Sequence, residues 1–182
     1  MGRVHAEIDE HLRDFIGRQA LFFVATAPLS ADGHVNLSPK GMQGTFAVLS
    51  PHQVAYLDLT GSGAETIAHL RENGRITIMF CAFDGPPRIV RLFGTGKAVV
   101  ASDATFAEFA ANFPELQGAR SVIVVDVDRI ADSCGYAVPR MELVGDRDDL
   151  LRWADRKGPD GIVAYWQEKN AASIDGLPAV TL

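Results

Sequence analysis

The chain has 182 residues, of which 47% are hydrophobic and 22% charged, as is typical of one soluble globular domain that needs no disulfides to hold its core. Its net charge of −6, with no cluster of Lys or Arg, excludes a sequence-independent nucleic-acid footprint and disfavours binding to anionic membrane surfaces. No run approaches the roughly 20 apolar residues needed to span a bilayer.

The N-terminal segment and the few Cys and His residues exclude further classes of protein. The first fifteen residues, MGRVHAEIDEHLRDF, are too polar for a secretory signal, and Ala6 breaks the myristoylation pattern. Cys81 and Cys134 match no CxxC spacing, and the five histidines form no metal-ligand pattern. We therefore expect a cytoplasmic protein with two reduced thiols and no metal site.

The first elements in chain order are a helix and two hairpins. Residues 5–18 place apolar side chains on one helical face. Residues 21–28 and 34–41 read as strands joined by an Ala-Asp-Gly turn, and 45–50 and 54–60 as two more strands joined at a Ser-Pro-His-Gln turn.

A second helix follows at residues 63–73 and ends at Gly74, a residue that favours the position after a helix. The runs 75–83 and 88–100 are rich in β-branched and aromatic residues, and we expect them to pair across the Asp-Gly-Pro-Pro turn between them.

The rest of the chain predicts a helix at 103–112, a strand at 120–130, a helix at 146–157 and an irregular tail at 158–182. With six or seven strands mostly in hairpins, the chain does not alternate βαβ. It therefore favours a single domain built as a closed antiparallel barrel with helices at its edge over a parallel sheet.

The turn at residues 60–66 admits two interpretations. Amides at a helix N-terminus with hydroxyls before them form an anion site, and Thr60, Ser62 and Thr66 supply three hydroxyls here. Alternatively, Ser62 and Glu65 form a capping box that stabilises the helix without any ligand. A Rossmann fingerprint is disfavoured, because Thr66 stands where the third glycine would be.

Four segments carry a resemblance to a known family: VNLSPK ending at Lys40, the strand running into Thr60, the helix and strand HLRENGRITIMFCAF, and RIVRLFG at 88–94. In this order they resemble the pyridoxamine 5′-phosphate oxidase-like family of FMN-binding split barrels, over roughly residues 21–130. The resemblance implies a mainly β fold, an antiparallel Greek-key split barrel with short flanking α-helices. It also implies a homodimer with FMN in clefts at the interface and a small-molecule substrate.

Residue by residue, Lys40 is similar to the lysine beside the flavin and Thr60 to the threonine near the FMN phosphate. Glu65 and Thr66 stand where oxidases of the family carry an Arg-Lys pair, and Ile89 replaces a glutamine. The C-terminal Trp and Arg-x-His signature is absent, since the chain has WQEKN at 166–170. We therefore expect an FMN-dependent oxidoreductase that is not a pyridoxamine phosphate oxidase.

Alternation along a strand sends Arg88 and Arg91 to opposite faces, and we assign Arg91 to the cleft. The predicted cofactor-binding residues are Asn36, Ser38, Lys40, Thr60, Ser62, Thr66 and Arg91. No residue is assigned as catalytic, because a flavin carries the redox chemistry itself. Near the tail, Tyr165 and Trp166 are placed to cover a partner subunit's cleft.

Two other functions remain open. A binding protein could use the same cleft for flavin or haem without turnover. A deazaflavin-dependent reductase would share the fold, although its polyglutamate-binding groove is more basic than this acidic chain suggests.

Overall fold

The computed structural model describes residues 2–181 and contains eight strands and four helices over that range. In chain order these are β1 (Val4–His5), α1 (Glu10–Gly17), β2 (Leu21–Thr26), β3 (Asn36–Gly41), β4 (Phe46–Ser50), β5 (Gln53–Leu59), α2 (Glu65–Glu72), β6 (Arg75–Cys81), β7 (Ile89–Val100), α3 (Phe106–Ala110), β8 (Ala119–Ser133) and α4 (Asp149–Lys169).

All the strands belong to one antiparallel sheet in the order β3-β2-β6-β7-β8-β5-β4, with β1 paired to β8. The three predicted hairpins, β2–β3, β4–β5 and β6–β7, are confirmed. The sheet ends at β3 and β4, and within residues 2–181 no ladder joins these two strands. The closed barrel expected from the strand count is therefore wrong, and the split barrel is confirmed.

The inner face of the sheet encloses the main core. Val24, Ile78, Leu92 and Ile130 lie opposite one another across β2, β6, β7 and β8, and each is at most 2% exposed. Helices α1 and α2 contribute apolar side chains to the same core. Burial of this continuous apolar surface is the main stabilising contribution to such a fold.

The outer face of the sheet has two different halves. Over β5, β8 and the end of β7, helix α3 and the residues after it cover a second, smaller core that includes Leu57, Val99 and Val122. The other half, which we call the open face, has side chains that are half-buried or exposed. Two cross-strand rows form the open face: Leu37, Ala25, Thr77 and Phe93, and Pro39, Phe23, Met79 and Arg91.

Two predicted helices have different bounds in the structure. The first begins only at Glu10, where Asp9 caps it, because Val4 and His5 pair with β8. The prediction of an irregular tail from residue 158 is also wrong, since α4 runs to Lys169. The helix is interrupted at Gly158, where φ is 67°. Gly-Pro at 158–159 ends one helical segment, but proline also favours the first turn of the next. That second segment buries Ile162 and Trp166.

Gly94 lies at a bulge in β7 where the backbone of β8 leaves no room for a side chain, and this gives a first prediction. A Cβ on Gly94 would lie 2.1 Å from the Asp126 carbonyl oxygen, where the β7–β8 register shifts. We expect Gly94→Ala to destabilise the fold by about 1–3 kcal/mol, because backbone must move. In the matched control, Gly161→Ala in α4, the new methyl group has ordinary contacts and should stabilise by up to about 1 kcal/mol. Denaturant unfolding of both variants measures the difference; equal effects would contradict it.

Candidate functional site

Three of the predicted residues share one face of β3. Asn36, Ser38 and Lys40 alternate with exposed residues along the strand and point inward, towards β5 and α2. Lys40 Nζ donates to Asp58 Oδ1 at 3.2 Å. The other oxygen of Asp58 accepts from Arg120 Nε at 2.6 Å and from Ser121 Oγ at 3.3 Å. We call Lys40, Asp58 and Arg120 the charged cluster.

The charged cluster carries a net positive charge, because two cations share one carboxylate. Asp58 is fully buried. Burial alone would raise the pKa of Asp58, but the charges of Lys40 and Arg120 and their hydrogen bonds hold it below its usual range. Arg120 also donates to the Gly63 carbonyl and to Asn170 Oδ1, so its guanidinium group is bonded to several groups of the same chain. Lys40 has three donors, and its side chain is 21% exposed.

The C-terminal helix packs on the turn after β5. Asn170, at the end of α4, is fully buried and donates to the Gly61 carbonyl at 3.0 Å. Trp166 Nε1 donates to Thr60 Oγ1 at 2.8 Å, and Thr60 Oγ1 donates in turn to the Gly118 carbonyl at 2.6 Å. The hydroxyl proton of Thr60 is thus already committed within the chain. Trp166 covers this turn of its own subunit, which corrects the expectation that it covers a partner's cleft.

The start of α2 lacks the predicted capping box. Ala64 is the N-cap residue and no side chain among residues 2–181 caps the helix, while Ser62 lies exposed in a bend before it. The Glu65 carboxylate reaches forward to the amide of Ile174 at 3.1 Å instead of back to Ser62. The capping interpretation is therefore wrong, because the C-terminal segment offers Glu65 a donor that lies 109 residues away.

A second polar network joins β3 to α2. Asn36 Nδ2 donates to Thr26 Oγ1 and to Thr66 Oγ1, each at 3.1 Å, and Ser38 Oγ donates to Asn36 Oδ1 at 2.8 Å. His69 Nδ1 is 2.9 Å from Thr26 Oγ1. These contacts satisfy the predicted residues Asn36, Ser38 and Thr66 within the chain and fix the edge strand β3 against α2.

Lys40 and Thr60 line a cleft of about 560 Å³ between β3, the end of β5 and the loop before α4. Its walls are mostly apolar and include Leu57, Leu59 and Leu150. Polar groups come from Lys40, Thr60, Arg147 and Asp146, whose carboxylate accepts from the Gln43 amide at 3.1 Å. This cleft, the β5 cleft, has the size and the mixed lining that are typical of small-molecule sites.

The structure places Arg91 away from the β5 cleft. It lies on the open face, where its Nη1 donates to Ser133 Oγ at 3.1 Å. Arg88 points elsewhere and pairs with Asp132 at 2.8 Å. Burial by itself would raise the pKa of Asp132, but hydrogen bonds from His5, Arg88 and the Arg3 amide lower it to about 2. Arg88 thus has a structural role at the β1–β8 edge.

No prediction from the sequence included Asp58, Arg120 or Asn170. A signal existed for Asp58, since it interrupts the apolar strand VAYLDLT at a position that shares a face with Val54 and Tyr56. A carboxylate on a core-facing position requires a cation nearby. No local pattern indicated that Arg120 and Asn170, 50 residues apart, would meet it.

Within residues 2–181, no group of three or more His, Cys, Asp or Glu side chains is placed to hold a metal ion. Over the same range, every helix is too short or too polar to cross a membrane.

The fold places the chain in the class of split-barrel proteins, and comparisons with known proteins identify its family. The family model described as pyridoxamine 5′-phosphate oxidase matches residues 8–134. Pyridoxamine 5′-phosphate oxidase family protein ustO of Aspergillus flavus is 43% identical over 97% of this chain and 77% of its own length. The chain belongs to the pyridoxamine 5′-phosphate oxidase family.

Two solved structures of HupZ from Group A Streptococcus show the same fold. The H111A variant has a TM-score of 0.55 at 23% identity, over 69% of this chain and 99% of HupZ. The other HupZ structure has a TM-score of 0.53 at 25% identity, over 68% and 91% of the two chains.

The charged cluster makes a stability prediction. We expect Asp58→Asn to lower the free energy of unfolding by about 3–5 kcal/mol, because Lys40 and Arg120 lose their buried counter-charge. Asp126→Asn is the matched control: this exposed side chain on the neighbouring strand β8 bonds Gln53, and its loss should cost about 0.5 kcal/mol or less. Urea unfolding followed by tryptophan fluorescence measures both. An Asp58→Asn variant as stable as the control would show that the pair contributes nothing.

Proposed function

We propose that the protein is an FMN-dependent oxidoreductase that acts on a small molecule and works as a homodimer. Membership of the pyridoxamine 5′-phosphate oxidase family supports the class of function. The observation that carries the proposal is the β5 cleft, where an apolar cavity of suitable size meets the net positive charge of the charged cluster at Lys40.

The residues of the β5 cleft fit FMN. Its phosphate, close to doubly negative at neutral pH, would bind Lys40 and Arg147, which line the same cavity. In the oxidases an Arg-Lys pair provides positive charge where this chain has Glu65 and Thr66. Here Lys40 and Arg147 would provide that charge instead. Thr60 would act by shaping the turn, since its hydroxyl proton is already used. Leu57, Leu59 and Leu150 would flank the ring.

When bound, FMN supplies the redox chemistry, since its ring system exchanges hydride or electrons with a nicotinamide and a small acceptor. The chain's own contribution is binding and orientation. The apolar walls would shield the ring from water, and the buried Asp58 orients the side chain of Lys40, a residue that lines the cleft. Of the other predicted residues, Asn36, Ser38 and Thr66 would support this arrangement indirectly by fixing β3.

The open face supports the homodimer part of the proposal. It is an extended surface rich in apolar side chains, whereas the matching half of the sheet is covered by α3. Pro39 belongs both to the open face and to the wall of the β5 cleft, so a second copy seated on the open face would border the cofactor. Arg91, at the β7 side of that face, would then meet the partner subunit.

Cofactor binding is tested on the purified protein by visible absorbance and by titration with FMN. We expect a flavin spectrum, or saturable uptake of added FMN, and Lys40→Met should weaken FMN binding about 10- to 100-fold, because one charged contact to phosphate is lost. Lys97→Met, the same substitution on β7 next to α3, is the control and should bind FMN normally. A colourless protein that takes up no FMN would refute the proposal. Bound flavin without reduction by a nicotinamide would indicate a binding protein.

Assembly is tested by light scattering coupled to size exclusion. The wild type should have twice the mass of one chain, and Phe23→Lys should be monomeric, because it places a charge in the centre of the open face. Val163→Lys, on the exposed side of α4, is the control and should remain dimeric. Circular dichroism checks that both variants are folded. A dimeric, folded Phe23→Lys variant would place the interface elsewhere.

A further inference from the structure

A second cleft adjoins the β5 cleft. It measures about 470 Å³ and lies between the end of α1, the β3–β4 turn, strand β4 and the loop before α4. The two clefts share five lining residues, Ala20, Met42, Leu143, Gly145 and Asp146. A ligand in one cleft would therefore lie beside a ligand in the other. We call the second cavity the α1 cleft.

The lining of the α1 cleft combines an apolar floor with two cations. Phe22, Phe46 and Val48 provide apolar surface, and Arg13 and Arg18 bring guanidinium groups from α1 and its C-cap. The acidic residue among those lining it, Asp146, accepts from the Gln43 amide. The cleft thus carries one net positive charge.

Within residues 2–181, most side-chain donors of the two arginines have no hydrogen-bond partner. Arg13 uses one N–H on the carbonyl of Val48, at 2.6 Å, which holds the guanidinium group against β4. A guanidinium group has five donors, so four remain on Arg13. The carbonyls of Phe15 and Ile16 at the end of α1 accept from the backbone amides of Arg18 and Gln19 and from the Gln19 side chain, so these bonds do not use the Arg18 guanidinium group.

The wall shared by the two clefts is under backbone strain. Met42 has a φ of 77°, in the left-handed region. Among the non-glycine residues of the described chain, only Met42 has a positive φ. The buried Thr45 holds this turn by donating to the carbonyls of Gly41 and Met42. Strain of this kind costs about 1–3 kcal/mol and clusters at ligand sites.

We propose that the α1 cleft binds the substrate of the proposed oxidoreductase, and that this substrate is a small organic carboxylate with an apolar body. The carboxylate pairs with Arg13 and Arg18, since guanidinium groups match carboxylates in a two-pronged geometry. The apolar body lies on Phe22, Phe46 and Val48 and extends past Met42 towards the β5 cleft. The inference rests on the proposed function for the identity of the neighbouring ligand.

The experiment uses benzoate and its neutral isostere benzamide as probes. Calorimetric titration and ligand-observed NMR on the full chain, with and without FMN, should show saturable benzoate binding and binding of benzamide about tenfold weaker or more. Arg18→Gln and Arg13→Gln should each weaken benzoate about tenfold or more. Arg156→Gln, an exposed arginine of α4 outside both clefts, is the matched control and should bind benzoate as the wild type does.

The outcomes separate this inference from the proposed function. FMN affinity should be unchanged in Arg18→Gln, and benzoate affinity unchanged in Lys40→Met. Benzoate binding in a chain that takes up no FMN would support the anion site and refute the oxidoreductase. Equal binding of benzoate and benzamide, no binding of either, or an equal loss in Arg156→Gln would overturn the carboxylate site whatever FMN does.

Discussion

The carboxylate of Asp58 is buried completely, and it stays ionised there because Lys40 and Arg120 both donate to it. Removing a charge from water costs several kcal/mol, so a pair of this kind persists only when its geometry and hydrogen bonds are good. Arg120 meets that demand with further bonds to Gly63 and Asn170. The charged cluster thereby fixes β3, the end of β5, the start of β8 and the end of α4 relative to one another.

The C-terminal segment completes this arrangement. Trp166 and Asn170 bond the turn after β5, and Ile174 bonds Glu65 at the start of α2. The same turn forms part of the β5 cleft through Thr60 and Gly61. The shape of the cleft therefore depends on residues from the far end of the chain, and the helix that supplies Trp166 and Asn170 restarts after the break at Gly158.

The sequence predicted the parts of this fold that depend on local signals. Alternating apolar residues and turn residues located the hairpins, and the family resemblance implied the split barrel, whereas the strand count alone favoured a closed barrel. The errors occurred where a tertiary contact decided the outcome. Glu65 bonds Ile174 rather than capping α2, and burial of Ile162 and Trp166 continues α4 past a Gly-Pro signal that normally ends a helix.

The site was predicted less completely than the fold for the same reason. Lys40 and Thr60 were predicted from the family resemblance, and both line one cleft. Arg120 and Asn170 lie 50 positions apart, and only the folded sheet brings them together around Asp58. Arg91 was assigned to the cleft but lies on the open face, because alternation along β7 does not decide which side of the strand faces the interior.

The two faces of strand β3 have different contacts, and the alternation of side chains along the strand decides which residue lies on which face. Asn36, Ser38 and Lys40 point inward to polar partners, whereas Leu37 and Pro39 belong to the open face. A slip of one residue in the β2–β3 pairing would exchange the two sets at once, sending the ammonium group outward and apolar side chains against Asp58. A substitution can therefore change one face of this edge strand at a time, whereas an insertion or deletion of one residue that shifts the pairing changes both faces together.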